Sequence, residues 1–206
     1  MRNRKALIVV DVQNDFIDGT LPVPFGAEVI APINQLVSSY GYGTIVLTQD
    51  WHPPSHRSFA RNNQVDGKAL EPGDIVQMPY GKQRLWPVHC VQDNPGASFP
   101  DGLVTDSAHM ILRKGMDPEV DSYSAFREAD RSTGTGLMGY LIARGVIEMD
   151  ICGLALDYCV AETAIDAKLM LGSWPVRVIQ HACRGITRPS EFDALNRMRE
   201  AGIELI

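Results

Sequence analysis

Short, mostly apolar runs recur along the chain, as in KALIVV (residues 5 to 10) and TIVLTQ (residues 44 to 49). Continuous runs of this kind, rich in β-branched residues, are typical of strands that a parallel sheet buries on both faces. On this pattern we predict six strands, at residues 5–10, 44–49, 108–113, 147–156, 175–182 and 203–206.

Apolar residues at helical spacing lie between most of these runs. They predict helices at residues 27–40, 137–145, 160–171 and 190–201, the last with Ser190 as its N-cap. Strands that alternate with helices imply a doubly wound α/β fold. A chain of 206 residues, 45% hydrophobic and 21% charged, suits one such domain. We therefore predict a single domain over residues 1–206, with a six-stranded, mostly parallel sheet and helices on both faces.

Charge and cysteine content exclude several classes of protein. A net charge of −6 argues against a nucleic-acid partner that binds through the phosphate backbone. The four cysteines form no C-x-x-C pair, which favours reduced thiols in a cytoplasmic protein. The first apolar run stops at Asp11 and is too short for a signal peptide or a membrane span.

Four ionisable or nucleophilic residues follow the predicted strands: Asp11, Asp50, Lys114 and Cys159. Taken singly, each has an ordinary explanation as a turn residue, a surface charge or a buried thiol. Parallel sheets bind ligands at the carboxyl ends of their strands, so all four are predicted to meet at one edge. Cys159 also precedes a predicted helix, whose N-terminus favours a thiolate. A cysteine with a carboxylate base and a cation suits acyl transfer.

A second set of residues has the chemistry of metal ligands. Asp50 and His52 point to the same side if the chain is extended there, and His89 and His56 lie in the long, Pro- and Gly-rich segment from 53 to 106. The pair Asp50 and His52 alone is more often a hydrogen-bonded surface pair. With His89 it forms an Asp/His/His set that suits one divalent ion, Zn²⁺ or Fe²⁺ first and Mn²⁺ as a further alternative. His56 is either a fourth ligand or a residue that supports the ligands.

Five motifs, in order along nearly the whole chain, resemble the signatures of nicotinamidases, which belong to the isochorismatase-like cysteine hydrolases. They are IVVDVQNDF (8–16), LTQDWHPPSH (47–56), WPVHCVQ (86–92), RKG (113–115) and GLALDYCV (153–160).

The resemblance implies an isochorismatase-like fold and a catalytic triad of Cys159, Asp11 and Lys114. Cys159 would form a thioester with the substrate acyl group, Asp11 would transfer protons, and Lys114 would orient Asp11. The resemblance also implies a cis peptide bond between Leu154 and Ala155, with an oxyanion hole formed by the backbone N–H groups of Ala155 and Cys159.

The implied reaction is hydrolysis of nicotinamide to nicotinate and ammonia, and of pyrazinamide to pyrazinoate, in the salvage of NAD. The resemblance places the metal on Asp50, His52 and His89, where it would hold the pyridine nitrogen, and His56 matches a ligand in only some members. Phe16 and Trp86 match the aromatic residues that sandwich the ring. Two alternatives stay open: an amidase for another small amide, and a metal-binding or redox-sensing protein without turnover. The segment 53–106 could pack against a second copy of the chain, so the oligomeric state is also open.

Overall fold

The computed structural model describes residues 3–39 and 41–206. Tyr40, which the helical pattern of residues 27–40 includes, lies outside the described residues, as do Met1 and Arg2. The strands are β1 (Lys5–Val10), β2 (Thr44–Asp50), β3 (Gln64–Val65), β4 (Lys68–Ala69), β5 (Ile75–Met78), β6 (Gly81–Arg84), β7 (Met110–Lys114), β8 (Glu148–Leu154), β9 (Val176–Arg184) and β10 (Glu204–Leu205). The α-helices are α1 (Asn14–Ile17), α2 (Ile30–Ser38), α3 (Leu137–Ala143), α4 (Ala161–Leu171) and α5 (Arg188–Glu200).

A six-stranded parallel sheet in the order β10-β9-β8-β1-β2-β7 forms the centre of the molecule. This confirms the predicted α/β class. The chain runs outward from β1 through β2 to β7, and then returns to pair β8 with the other side of β1. The direction of winding therefore reverses between β1 and β8, which is where such sheets form a ligand crevice.

Gly153 brings these two central strands into close contact. Its φ is +119°, and a Cβ at this position would lie 2.1 Å from the carbonyl oxygen of Val10. A side chain there would force β8 away from β1, because no heavy atom tolerates that distance. Glycine at this position therefore sets the spacing of the strands that lead to Asp11 and Cys159.

Most predicted boundaries differ by a few residues from those in the structure, and two of the differences bear on the site or on a capping residue. Helix α5 begins at Arg188, and its N-cap is Thr187, whose hydroxyl accepts a hydrogen bond from the backbone N–H of Ser190. Ser190 as the N-cap is therefore wrong; Pro189 is tolerated in the first turn, where its missing N–H leaves no helical bond unmade. Strand β8 ends at Leu154 rather than at 156, and a π-helical turn, Leu156–Val160, joins it to α4.

The long segment between β2 and β7 folds back over the carboxyl edge of the sheet. It contains two small hairpins, β3–β4 and β5–β6, and two bridges join its own parts, one between Phe59 and Trp86 and one between His52 and Val91. The segment thus brings Trp86 and His89 to the site. Within residues 3–39 and 41–206, no helix has the length and apolar character that crossing a membrane requires.

Candidate active site

The carboxyl edge of the sheet brings three of the predicted residues together in a buried cluster. Asp11 follows β1, Lys114 ends β7, and Cys159 lies in the π-helical turn after β8. The three residues are 0%, 1% and 6% exposed. Ionisable groups this deeply buried are costly unless they are paired, so their contacts determine what the cluster can do.

Lys114 lies at the centre of this cluster. Its Nζ is 2.9 Å from Asp11 Oδ2 and 2.5 Å from Asp50 Oδ1, and it donates to the carbonyl oxygen of Ser122 at 2.7 Å. It also lies 3.6 Å from the Sγ of Cys159. Burial lowers the pKa of Lys114, but the charges of Asp11 and then Asp50 outweigh this effect and hold the pKa well above its usual value. The ammonium therefore stays charged and links the two carboxylates to the sulfur.

Asp11 has the properties of a proton acceptor that operates near neutral pH. Burial raises its pKa to about 6, although Lys114 and the hydroxyl of Thr48 act in the opposite direction. Thr48 donates to Oδ1 at 2.5 Å, and its oxygen accepts the backbone N–H of Asp11 at 3.1 Å. Oδ2 is buried and lies 2.9 Å from the ammonium of Lys114. The raised pKa allows the carboxylate to take up a proton from a neighbouring group.

The state of the Cys159 thiol differs from the sequence prediction. We expected the following helix to favour a thiolate, but burial raises the pKa of Cys159 well above its usual value, and the nearby Lys114 offsets this only in part. The sulfur therefore carries its proton at rest. Asp11, Asp50 and Cys159 each place one polar atom within 4.8 Å of the others, so the carboxylate of Asp11 lies close enough to receive that proton as the sulfur reacts.

The turn before the cysteine has the predicted backbone conformation, since the peptide bond between Leu154 and Ala155 is cis. The carbonyl oxygen of Ala155 accepts the N–H groups of Tyr158 and Val160, both at 3.1 Å. Ala155 and Cys159 both line a cavity at the carboxyl edge of the sheet.

The structure also groups the three predicted metal ligands. Asp50, His52 and His89 are buried, and one ligand atom from each lies within 4.8 Å of the others. The Nδ1 atoms of the two rings face backbone carbonyl oxygens, His52 towards Gly115 at 2.9 Å and His89 towards Pro87 at 2.8 Å. A carbonyl accepts only, so each Nδ1 donates to it, and in the neutral ring the lone pair is then on Nε2. Metal-binding histidines have this arrangement.

His56 does not belong to this group, but forms a second one with His52 and Asp121. Its Nδ1 lies 2.6 Å from the hydroxyl of Ser58, and its Nε2 lies 3.3 Å from the carbonyl oxygen of Val120. Both nitrogens thus have protein partners. Sequence reasoning missed Asp121, because it lies in the loop between β7 and α3, where no periodic pattern distinguishes one acidic residue from its neighbours.

The balance of buried charge supports a divalent ion at this place. Three fully buried carboxylates, Asp11, Asp50 and Asp121, share the site with one buried ammonium, that of Lys114. The carboxylates exceed the ammonium by two charges. Buried charges need compensation, and one divalent cation supplies it. The donor set and the charge balance therefore fit the predicted metal.

Aromatic side chains form the walls of a cavity between the cysteine and the metal group. Trp86 donates its indole N–H to the hydroxyl of Tyr123 at 2.8 Å and meets the ring of Tyr158 edge-on at 4.9 Å. Phe16 lies beside His89 on the cavity wall, with 5.6 Å between the ring centroids. Phe16 and Trp86 were predicted here, whereas Tyr123 and Tyr158 were not. A flat aromatic ring matches such a cavity.

Known proteins are similar to this chain over nearly its whole length. The isochorismatase domain family matches residues 5–206. The nicotinamidase of Acinetobacter baylyi is 48% identical over 207 residues, which cover 99% of this chain and 92% of that protein. A nicotinamidase and pyrazinamidase structure from Acinetobacter baumanii is 44% identical with a TM-score of 0.92, over 99% of this chain and 96% of that one. The pyrazinamidase structure of Pyrococcus horikoshii in complex with zinc is 36% identical with a TM-score of 0.77, over 98% of both chains.

Proposed function

Because this chain belongs to the isochorismatase family and is a hydrolase that acts on amides, we propose that it converts nicotinamide to nicotinate and ammonia, and pyrazinamide to pyrazinoate. The observation that carries the proposal is the placement of Cys159, Asp11 and Lys114 at one end of an aromatic-walled cavity, with Asp50, His52 and His89 beside it. A small aromatic amide fits between a nucleophile for its carbonyl and a metal group for its ring nitrogen.

In the first half of the reaction, Asp11 takes the proton of the Cys159 thiol while Sγ attacks the amide carbonyl carbon. The new C–S bond gives a tetrahedral intermediate with a negative oxygen. Asp11 then gives its proton to the amide nitrogen, the C–N bond breaks, and ammonia leaves a thioester on Cys159. Since the pKa of Asp11 is about 6, the carboxylate is present at neutral pH and can still be protonated in the transition state.

In the second half, Asp11 takes a proton from water, whose oxygen attacks the thioester carbonyl. The C–S bond breaks, the acid product forms, and the proton returns to Cys159. Lys114 stays protonated throughout, because its contacts with Asp11 and Asp50 stabilise the ammonium. It orients Asp11 and stabilises negative charge on sulfur.

The backbone N–H groups of Ala155 and Cys159 stabilise the oxygen of the tetrahedral intermediate in this proposal. The placement of both residues on the cavity wall supports the role. Phe16 and Trp86 hold the substrate ring from two sides, as the positions of their side chains around the cavity support. A divalent ion on Asp50, His52 and His89 supplies a Lewis acid for the pyridine nitrogen when it is bound.

The decisive experiment measures ammonia release from nicotinamide and from pyrazinamide by the metal-loaded protein. We expect turnover of both, and no turnover by Cys159→Ala, which still binds nicotinamide. Rapid acid quenching followed by mass spectrometry should detect a pyridine acyl group on Cys159. Absence of turnover with both substrates would refute the substrate assignment. Turnover that persists in Cys159→Ala would refute the thioester mechanism but not the substrate assignment.

A further inference from the structure

We propose that Asp121 is the second carboxylate of the metal site, and that it provides the negative charge that Asp50 cannot supply alone. The inference rests on the proposed metal site. It assigns a role to a residue outside the predicted ligand set of Asp50, His52 and His89, and it names the side chain that positions that residue.

The negative charge of Asp50 is already paired with a cation. Its Oδ1 lies 2.5 Å from the ammonium of Lys114, which also neutralises part of the charge of Asp11. A divalent ion beside Asp50 thus meets a carboxylate that a cation already holds. A further buried anion nearby would complete the neutralisation of the ion.

Asp121 meets this requirement in burial, position and pairing. It is 3% exposed and lines the same cavity as Asp50 and His89. One of its carboxylate oxygens lies within 4.8 Å of a ring nitrogen of His52 and of a ring nitrogen of His56. Among the ion pairs of the described residues, none involves Asp121. An anion buried beside two histidines and without a cationic partner is placed to compensate a bound metal ion.

Two hydrogen bonds fix the orientation of the Asp121 carboxylate. Oδ1 accepts the backbone N–H of Ser122 at 2.8 Å, and Oδ2 accepts Nε2 of Gln83 at 2.6 Å. Gln83 is 2% exposed, lies on β6 of the second hairpin, and also approaches the hydroxyl of Tyr123 at 3.2 Å. The hairpin therefore inserts one polar side chain behind both the metal group and the aromatic wall. Gln83 acts as a positioning residue, and Asp121 supplies the charge.

The test is zinc affinity, measured by titrating metal-free protein in competition with a chromophoric chelator. Removal of a group that supports metal ligands costs 10- to 100-fold in affinity. We expect a loss of at least about 10-fold for Asp121→Asn and a smaller loss for Gln83→Leu. The control is Asp150→Asn, which removes an equally buried carboxylate paired with Lys5 and Arg177 at the other edge of the sheet. It should leave zinc affinity unchanged.

A second readout separates charge compensation from a structural role. Zinc should raise the Tm of Asp121→Asn less than it raises that of the wild type, and saturating zinc should bring its KM towards the wild-type value. A purely structural defect would lower the Tm with and without zinc alike, and zinc would not rescue it. That pattern, or wild-type zinc affinity in Asp121→Asn, would overturn the role of Asp121 without affecting the proposed metal site. Absence of zinc binding by the wild type would overturn the metal site itself.

Discussion

Removal of the Thr48 hydroxyl is the simplest way to change the pKa of Asp11, the proposed proton acceptor. The hydroxyl donates to Oδ1 of Asp11 at 2.5 Å and is one of the groups that lower the pKa of this carboxylate from the high value that burial imposes. Thr48→Val keeps the shape of the side chain and removes this bond, together with the bond that Thr48 accepts from the backbone N–H of Asp11. A hydrogen bond to a charged group contributes about 1.5–3 kcal/mol. At about 1.36 kcal/mol per pKa unit, its loss should raise the pKa of Asp11 by about one to two units.

The pH dependence of kcat/KM measures this change. In the wild type we expect kcat/KM for nicotinamide to fall as the pH drops through about 6, because Asp11 must be ionised to accept the thiol proton. In Thr48→Val this acidic limb should move to between about 7 and 8, with little change well above that range. The matched control is Thr44→Val, four residues earlier on the same strand and also buried, at the far end from Asp11. An acidic limb that stays in place in Thr48→Val would refute the assignment of Asp11 as the base.

Unfolding in urea tests the same hydrogen bond independently, through the stability of the fold. The folded-state pKa of Asp11 lies above its unfolded value near 3.8, so its ionisation destabilises the fold once the pH exceeds the folded pKa, and this penalty disappears below the unfolded pKa. Thr48→Val enlarges the penalty. The variant should therefore be less stable than the wild type by about 1.5–3 kcal/mol at pH 8 and by less at pH 5, where Asp11 is largely protonated. An equal deficit at both pH values would contradict the electrostatic explanation.

Three further perturbations test other parts of the site. Lys114→Met leaves the carboxylates of Asp11 and Asp50 without their cation. The free energy of unfolding in urea should therefore fall by about 3–5 kcal/mol at pH 8 and recover in part at pH 5. A loss that does not depend on pH would mean that Lys114 contributes through packing alone. Dialysis against a chelator should raise KM for nicotinamide, and titration with Zn²⁺, Fe²⁺ or Mn²⁺ should lower it again; a KM unaffected by chelation would exclude the metal from substrate binding. Trp86→Phe keeps an aromatic wall but loses the hydrogen bond to Tyr123, so we expect KM to rise by a larger factor than kcat falls. A larger fall in kcat than rise in KM would assign Trp86 to the chemical step.

The positions of the reactive groups were predictable because they follow a rule of the fold. Apolar runs of five to seven residues show where strands end, and parallel strands present their carboxyl ends at one edge. Asp11 and Lys114 follow directly from this reasoning. The central pairing of β1 with β8 shows why Cys159 joins them, although it lies far away in sequence.

Features that depend on burial or on irregular loops were not predictable in this way. The sequence shows that Cys159 precedes a helix, but it does not show that the sulfur is almost fully enclosed, and this enclosure reverses the expected direction of its pKa shift. Asp121 depends on the course of a loop without secondary structure. The choice between Thr187 and Ser190 as the N-cap depends on which hydroxyl faces the first turn of α5, and both residue types are favoured at this position.

The pairing of β1 with β8 has a consequence for how the protein forms during synthesis. One edge of β1, an almost wholly buried apolar strand, has no partner until residues 148–154 emerge from the ribosome, about 140 residues later. At ribosomal speeds this interval is on the order of 10 s. During that time the apolar edge is open to chaperones or to other nascent chains. Pairing of β8 with β1 both closes this edge and brings Cys159, the proposed nucleophile, to Asp11, its proposed base, so the cysteine site forms only after most of the chain has been made.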